Sequence, residues 1–216
     1  MSSLYDPHCR ACPRLATHLA AVRNEYPSYF ARPVPPFGMP RPGLLVVGLA
    51  PGMHGANRTG RPFTGDYAGI LLYRTLHKFG FASQTGSDDP ADGLALSNCR
   101  VTNAVKCLPP ENRPLPEEVK QCNRFLAAEI AAARPRAILA LGTVAHAAVL
   151  RAAGLKASAF KFAHQAQHAL PPQPLPKHGI RLFDSYHCSR YNTNTGRLTA
   201  AMFEAVFSDI EAYLAT

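Results

Sequence analysis

No stretch of the chain approaches the ~20 consecutive apolar residues that a helix needs to cross a bilayer, and the N-terminal segment MSSLYDPHCRACPRL lacks the apolar centre of a secretory signal. Neither a membrane partner nor export is therefore expected, and the reading is a cytoplasmic protein. Acidic residues are scarce: 14 Asp plus Glu stand against 23 Lys plus Arg, a formal charge of +9. That excess favours an anionic partner, with nucleic acid the leading class, although the basic residues are spread out and charge alone does not decide. The glycine-rich segment described below contains neither G-x-x-x-x-G-K-S/T nor G-x-G-x-x-G, so no nucleotide cofactor is expected. No internal repeat is present. In a cytoplasmic setting the six cysteines are not read as three disulfides, which makes metal or cluster ligation the better reading.

The 216 residues, 47% of them hydrophobic, suit a single domain over 1–216 with a substantial core. Short apolar segments at Leu44–Val47, Cys99–Val105, Ala137–Leu141 and Ile180–Phe183 alternate with segments of helical period at Pro13–Asn24, Tyr67–Phe79, Pro116–Ala133, Thr143–Ala153 and Thr199–Leu214. This alternation predicts an α/β fold, a central four-stranded, mainly parallel sheet between two helical layers. Pro116 with Glu117 and Glu118 suits a first helical turn, Thr143 after Gly142 reads as a cap, and Gly154 as a stop. Residues 160–178, with three histidines and several prolines, read as an irregular loop in which His164, His168 and His178 are solvated rather than metal ligands.

Three polar segments follow strand ends. Gly48–Asp66, GLAPGMHGANRTGRPFTGD, gathers Asn57, Arg58, Arg61, Phe63 and Asp66 among five glycines that let backbone approach a ligand closely. The strand Cys99–Val105 brings Asn103 to the same edge, and the loop 184–199, DSYHCSRYNTNTGRLT, brings His187. Open parallel sheets place ligands at the carboxyl ends of their strands, so these segments are expected to face one crevice.

Cys9 and Cys12 form a C-x2-C pair, and Cys107 and Cys122 flank the proline-rich turn LPPENRPLP. Four thiolates suit tetrahedral zinc or a [4Fe-4S] cluster, and the spacing does not choose between them. Cys99 reads as a core residue. Cys188, beside His187, stays open, with catalytic nucleophile the weaker reading because nothing else points to covalent catalysis.

GLAPGMHGANRTGRPFTGD, VTNAVKC and HCSRYNTNTGRLT, with the four-cysteine pattern, resemble the signature segments of the family 5 (type B) uracil-DNA glycosylases over nearly the whole chain. The first loop lacks the water-activating Asp or Asn of other families near Ala50 and Pro51, itself a type B mark; Cys188 stands where many relatives have proline. The resemblance implies a DNA repair enzyme, working as a monomer beside the bacterial nucleoid, that hydrolyses the N-glycosidic bond of uracil, and of hypoxanthine and xanthine, in DNA. It implies a flipped base in a pocket of Gly48, Ala50, Phe63, Asn103 and His187, with Phe63 stacking, Asn103 reading the base edge, His187 stabilising the leaving base and Asp66 serving the sugar and water. It also implies DNA contacts by Asn57, Arg58, Arg61, Arg190, Tyr191 and Arg197, and a [4Fe-4S] cluster on Cys9, Cys12, Cys107 and Cys122. A cluster- or zinc-stapled nucleic-acid-binding module without activity is the rival reading; it has no use for Asp66, Asn103 and His187.

Overall fold

A computed structural model describes residues 4–172 and 179–216. The chain order is α1 (Pro13–Glu25), β1 (Phe37–Gly38), β2 (Leu44–Gly48), α2 (Ala56–Thr59), α3 (Tyr67–Lys78), β3 (Cys99–Asn103), α4 (Pro116–Ala133), β4 (Ala137–Leu141), α5 (Thr143–Ala152), β5 (Gln167–Leu170), β6 (Ile180–Ser185), α6 (Arg190–Asn194) and α7 (Ala200–Leu214), with 3-10 turns at 110–112 and 157–159.

The fold is α/β with one mixed sheet in the order β1-β3-β2-β4-β6-β5. Its four central strands are parallel, as the alternation of apolar and helical segments predicts. The expected count of four is corrected to six, because β1 and β5 add antiparallel edges. Both are short edge strands in polar or proline-bearing sequence, where period-2 patterning does not develop. The strand β5 also corrects the reading of residues 160–178 as wholly irregular; His178 lies outside the described residues.

Successive strand residues point to opposite faces, and the buried clusters follow that rule. Leu44, Val46, Leu139 and Leu141 pack with Leu72 and Leu76 of α3 and Phe203 and Phe207 of α7. Leu45, Val47, Ile138 and Ala140 pack on the other face with Leu126 and Ile130 of α4 and Ala148 and Val149 of α5. A third cluster joins α1, through Leu15, Leu19 and Val22, to Cys107, Cys122 and Phe125.

The helices begin and end for local reasons. Prolines occupy the first turns of α1 and α4, where no amide donor is needed. Glu118, in the first turn of α4, accepts from the Leu115 amide at 2.7 Å. Arg134, left-handed at φ 51°, closes α4 ahead of Pro135. Thr143 is not the cap of α5: Gly142 is, at φ 92°, which leaves Thr143 exposed on the first turn.

Candidate active site

The carboxyl ends of β2, β3, β4 and β6 open on to a cavity of about 530 Å³ lined by Ala50, Phe63, Asp66, Asn103, Gly142 and His187 among others. Phe63, Asp66, Asn103 and His187 thus meet at one place, although 124 positions separate Phe63 from His187. Gly48 lies just beneath them, paired in register with Asn103.

Gly48 is buried for a steric reason. A Cβ there would sit 2.5 Å from Asn103 Oδ1 and 2.5 Å from Phe63 Cζ, both far inside van der Waals contact. Phe63 itself is left-handed at φ 58°, a conformation that costs a bulky residue on the order of 1–3 kcal/mol. Its backbone is locked in place: Tyr73 donates to the Pro62 carbonyl at 2.7 Å, and the Phe63 carbonyl lies where a Cβ on Gly69 would be.

Asn103 ends β3 with only 3% of its surface exposed, and its Oδ1 is buried with no hydrogen-bond partner. An orphan acceptor of this kind costs about 1–3 kcal/mol, so its persistence beside a cavity calls for a ligand donor. The His187 ring lies 6.2 Å from that of Phe63 at 28°. Burial pushes its pKa down to about 4, so the imidazole is neutral at physiological pH. Asn192 Nδ2 donates to the His187 carbonyl at 2.8 Å and holds the loop.

Asp66 is the residue preceding α3, as expected of a helix start, but its side chain does not cap that helix. Oδ2 instead accepts from the Ala56 amide at 3.1 Å, and Oδ1 packs against Gly55, where any Cβ would lie 1.9 Å away. Burial raises the Asp66 pKa above the ordinary carboxylate value, against the lowering effects of the Ala56 amide and the Arg58 charge.

The residues expected to contact DNA divide into two groups. Arg190, Tyr191 and Arg197 are exposed, Tyr191 at 71%. The Arg190 guanidinium rests 4.8 Å from the Tyr67 ring centre and that of Arg197 4.7 Å from Tyr186, so aromatic faces pre-position both cations. Arg58 is partly exposed and donates to the His54 carbonyl at 2.7 Å. Asn57 and Arg61 are corrected. Asn57 is fully buried, and Arg61 is turned inward at 6% exposure, donating to Thr64, Ser87, Asp92 and the Asp89 carbonyl. Its ion pair with Asp92, at 2.6 Å, ties the first loop to the segment ahead of β3.

Asn112, Thr143, Val144 and Tyr67 also line the cavity, though the sequence assigns none of them to the site. The signal for Thr143 was available, since β4 ends at Leu141 and the strand-end rule applies to it as to its neighbours. Asn112 lies in the turn between Cys107 and Cys122 and, with Glu111, is left-handed at φ 56°. The loop 184–199 is not irregular throughout: Ser189 caps the short helix α6 through the Asn192 amide. Cys188 and Cys99 are both fully buried, and burial pushes the Cys188 thiol up to about 12, the opposite of an activated nucleophile.

Cys9, Cys12, Cys107 and Cys122 line one small recess with Leu15, Ala16, Val105 and Phe125. The Lys106 amide donates to Cys122 Sγ at 3.3 Å and Arg124 to Cys9 Sγ at 3.6 Å. These donors favour thiolates, so the chemistry of the set fits a metal centre. From this recess the chain runs through α1 to Tyr26 and Tyr29, where Tyr29 Oη meets His54 Nδ1 at 2.8 Å; the Phe30 and Ala31 amides then donate to the Arg58 and Asn57 carbonyls.

Residues 35–211 match the uracil DNA glycosylase superfamily. A type-5 uracil-DNA glycosylase of Thermus thermophilus is 46% identical over 209 residues, covering 93% of this chain and 91% of that protein. A second, from Pyrobaculum aerophilum, is 43% identical over 196 residues, 89% of this chain and 83% of its own length. A type-4 enzyme of the same organism is 35% identical over 130 residues, 60% of this chain and 59% of its own.

Proposed function

Since the chain belongs to the uracil-DNA glycosylase superfamily, in its type-5 group, we propose that it is a hydrolytic DNA glycosylase that removes uracil from DNA and leaves an abasic site. The observation that carries this is the orphan Asn103 Oδ1 in a cavity walled by Phe63 and His187. A base inside a duplex is out of reach, so the target nucleotide swings into this cavity. Phe63 offers its ring to the base. Asn103 Oδ1 accepts from uracil N3–H and its amide donates to O4; cytosine presents the opposite pattern and is rejected.

Cleavage sends the C1′–N1 electron pair on to the base and leaves positive charge on the sugar. Neutral His187 donates its N–H to uracil O2 and stabilises the departing anion. Ionised Asp66 stabilises the sugar cation and accepts a proton from the attacking water, whose oxygen bonds to C1′. A site that depends chiefly on stabilising the leaving base also admits hypoxanthine and xanthine. Arg58, Arg190 and Arg197 neutralise phosphates, and Tyr191, exposed in the first turn of α6, fills the gap left by the flipped base.

For the four cysteines we propose a [4Fe-4S] cluster. The support is that all four line one recess with donors on two of their sulfurs, and that the family likeness favours iron-sulfur over zinc for this set. Through α1 and the contact of Tyr29 with His54, such a centre supports the loop that carries Asp66. A brown protein with about four irons per chain supports the cluster, and a colourless protein with zinc on these cysteines rejects it.

The activity test is one gel. Identical strands carrying uracil, hypoxanthine, xanthine or thymine are incubated with the protein and abasic sites are cleaved with alkali. Scission at uracil, hypoxanthine and xanthine but not thymine is expected. Scission at uracil alone removes the broader specificity, and no scission at all, with binding retained, turns the reading to a DNA-binding module. Asp66→Ala and His187→Ala are expected to bind DNA and lose base release.

A further inference from the structure

We propose that His146 of α5, His168 of β5 and Asp184 of β6 bind one divalent cation of the zinc class, at a site separate from both the cavity and the cysteines. His146 Nδ1 lies 2.8 Å from Asp184 Oδ1, and His168 Nε2 lies 3.1 Å from Asp184 Oδ2. The carboxylate is fully buried, His146 is 4% exposed and His168 14%.

The convergence of the three side chains is what points to a cation. His146 Nε2 lies 2.9 Å from the Phe160 carbonyl oxygen, which can only accept, so Nε2 donates there and Nδ1 is the nitrogen turned to Asp184. A metal ion serves all three side chains together: three ligand atoms of two imidazoles and a carboxylate, mutually within 4.8 Å, need to shift by less than an ångström or so to meet zinc bonds of about 2.0–2.2 Å. The Phe160 carbonyl is then the outer partner that fixes the tautomer and orientation of a metal-bound histidine. Imidazole with carboxylate and no thiolate selects zinc over iron-sulfur chemistry.

Three elements meet at this point, and Asp184 lies three residues before His187. The Asp184 amide also donates to the Ala166 carbonyl and its carbonyl accepts from the Gln165 amide, so the ion ties the segment ahead of β5 to the strand that delivers His187.

The test uses the full-length protein with its iron in place, incubated with zinc sulfate, desalted, and assayed for zinc and iron in the same sample. One zinc per chain is expected, falling to background in His168→Gln and in Asp184→Asn with iron unchanged, and zinc is expected to raise the melting temperature of the parent protein but not of His168→Gln. His168 is at an edge, so His168→Gln is expected to fold and to release uracil, which keeps the test open if Asp184→Asn does not fold. Absence of retained zinc overturns the proposal and leaves a proton-held triad. Zinc that persists in His168→Gln but is lost in Cys9→Ser also overturns it, by placing the metal on the cysteines.

Discussion

Asp66 and His187 are both displaced from their ordinary ionisation by burial, in directions that suit one reaction. The Asp66 pKa is raised above 3.8 and that of His187 is lowered to about 4. The working forms, carboxylate and neutral imidazole, are both the deprotonated ones. Uracil release is therefore expected to fall as pH drops, through about 4 on account of His187 and at a limb above the ordinary carboxylate value on account of Asp66, and to be flat in what His187 contributes from about pH 6 to 8. Rates measured across that span which fall with rising pH would require an imidazolium and sink the assignment. The same shift bears on stability. A carboxyl whose folded pKa is raised penalises the fold once it ionises, a penalty that sets in above the unfolded pKa and is complete above the folded one. Asp66→Asn keeps the bond from the Ala56 amide, so it is expected to melt higher than the parent at neutral pH while losing most of its activity. Gly48→Ala probes the other side of the site: a methyl 2.5 Å from both Asn103 and Phe63 is expected to lower kcat/KM for uracil by ~10²-fold or more and to depress the melting temperature, both measurable on one preparation.

Asn103, His187, Phe63 and Asp66 were legible in the sequence because unusual residue types stood at the ends of apolar runs and because those runs carry a family's motifs. Arg61 and Asn57 were not. In a glycine-rich loop an arginine bound for solvent and one bound for an interior carboxylate look alike, and the partner, Asp92, lies 31 positions away with no pattern to announce it.

At the scale of elements, β3 and α4 are joined by a buried charge network that the sequence reading passed over. Glu129 of α4, 1% exposed, accepts from Arg100 at 2.9 Å, from Thr102 at 3.0 Å and from Lys106 at 3.1 Å; Lys106 also meets Thr102. Glu129→Ala leaves the Lys106 ammonium buried without its counter-charge. The expected cost is about 3–5 kcal/mol in a urea or thermal melt. The double variant Glu129→Leu, Lys106→Met is expected to recover a large part of it, and an unaltered midpoint for the single variant would refute the network's role. Four strands and five helices could be placed from periodicity because burial on one or two faces writes a period into the sequence. The edges β1 and β5 and the one-turn helices α2 and α6 are too short for any period to register, and their positions follow from neighbours that only the folded chain supplies.

For the whole molecule, the charge of +9 is put to use unevenly. Arg190, which lines the cavity, and Arg197, which rests on Tyr186, are both exposed and expected to contact phosphates, so each change to alanine should weaken DNA binding across sequences and reduce the slope of log affinity against log salt by about 0.9 for duplex. Arg61→Ala should leave that slope alone and lower the melting temperature. Titrations by fluorescence anisotropy at several salt concentrations separate the cases, and equal slopes for all three variants would remove the phosphate assignment.

The sheet order has a consequence in time as well as in space. The groups around the cavity sit at positions 63, 66, 103 and 187, on or beside strands whose pairing runs β3-β2-β4-β6, so β4, formed from residues between the third and fourth groups, must be seated before β6 can bring the last one in. Such non-local parallel pairings are slow to form. Base release is then a report on the finished fold: during synthesis or refolding the pocket closes only when β6 delivers His187, with the exposed Arg190 and Arg197 following it in the chain, which keeps half-folded molecules from making abasic sites.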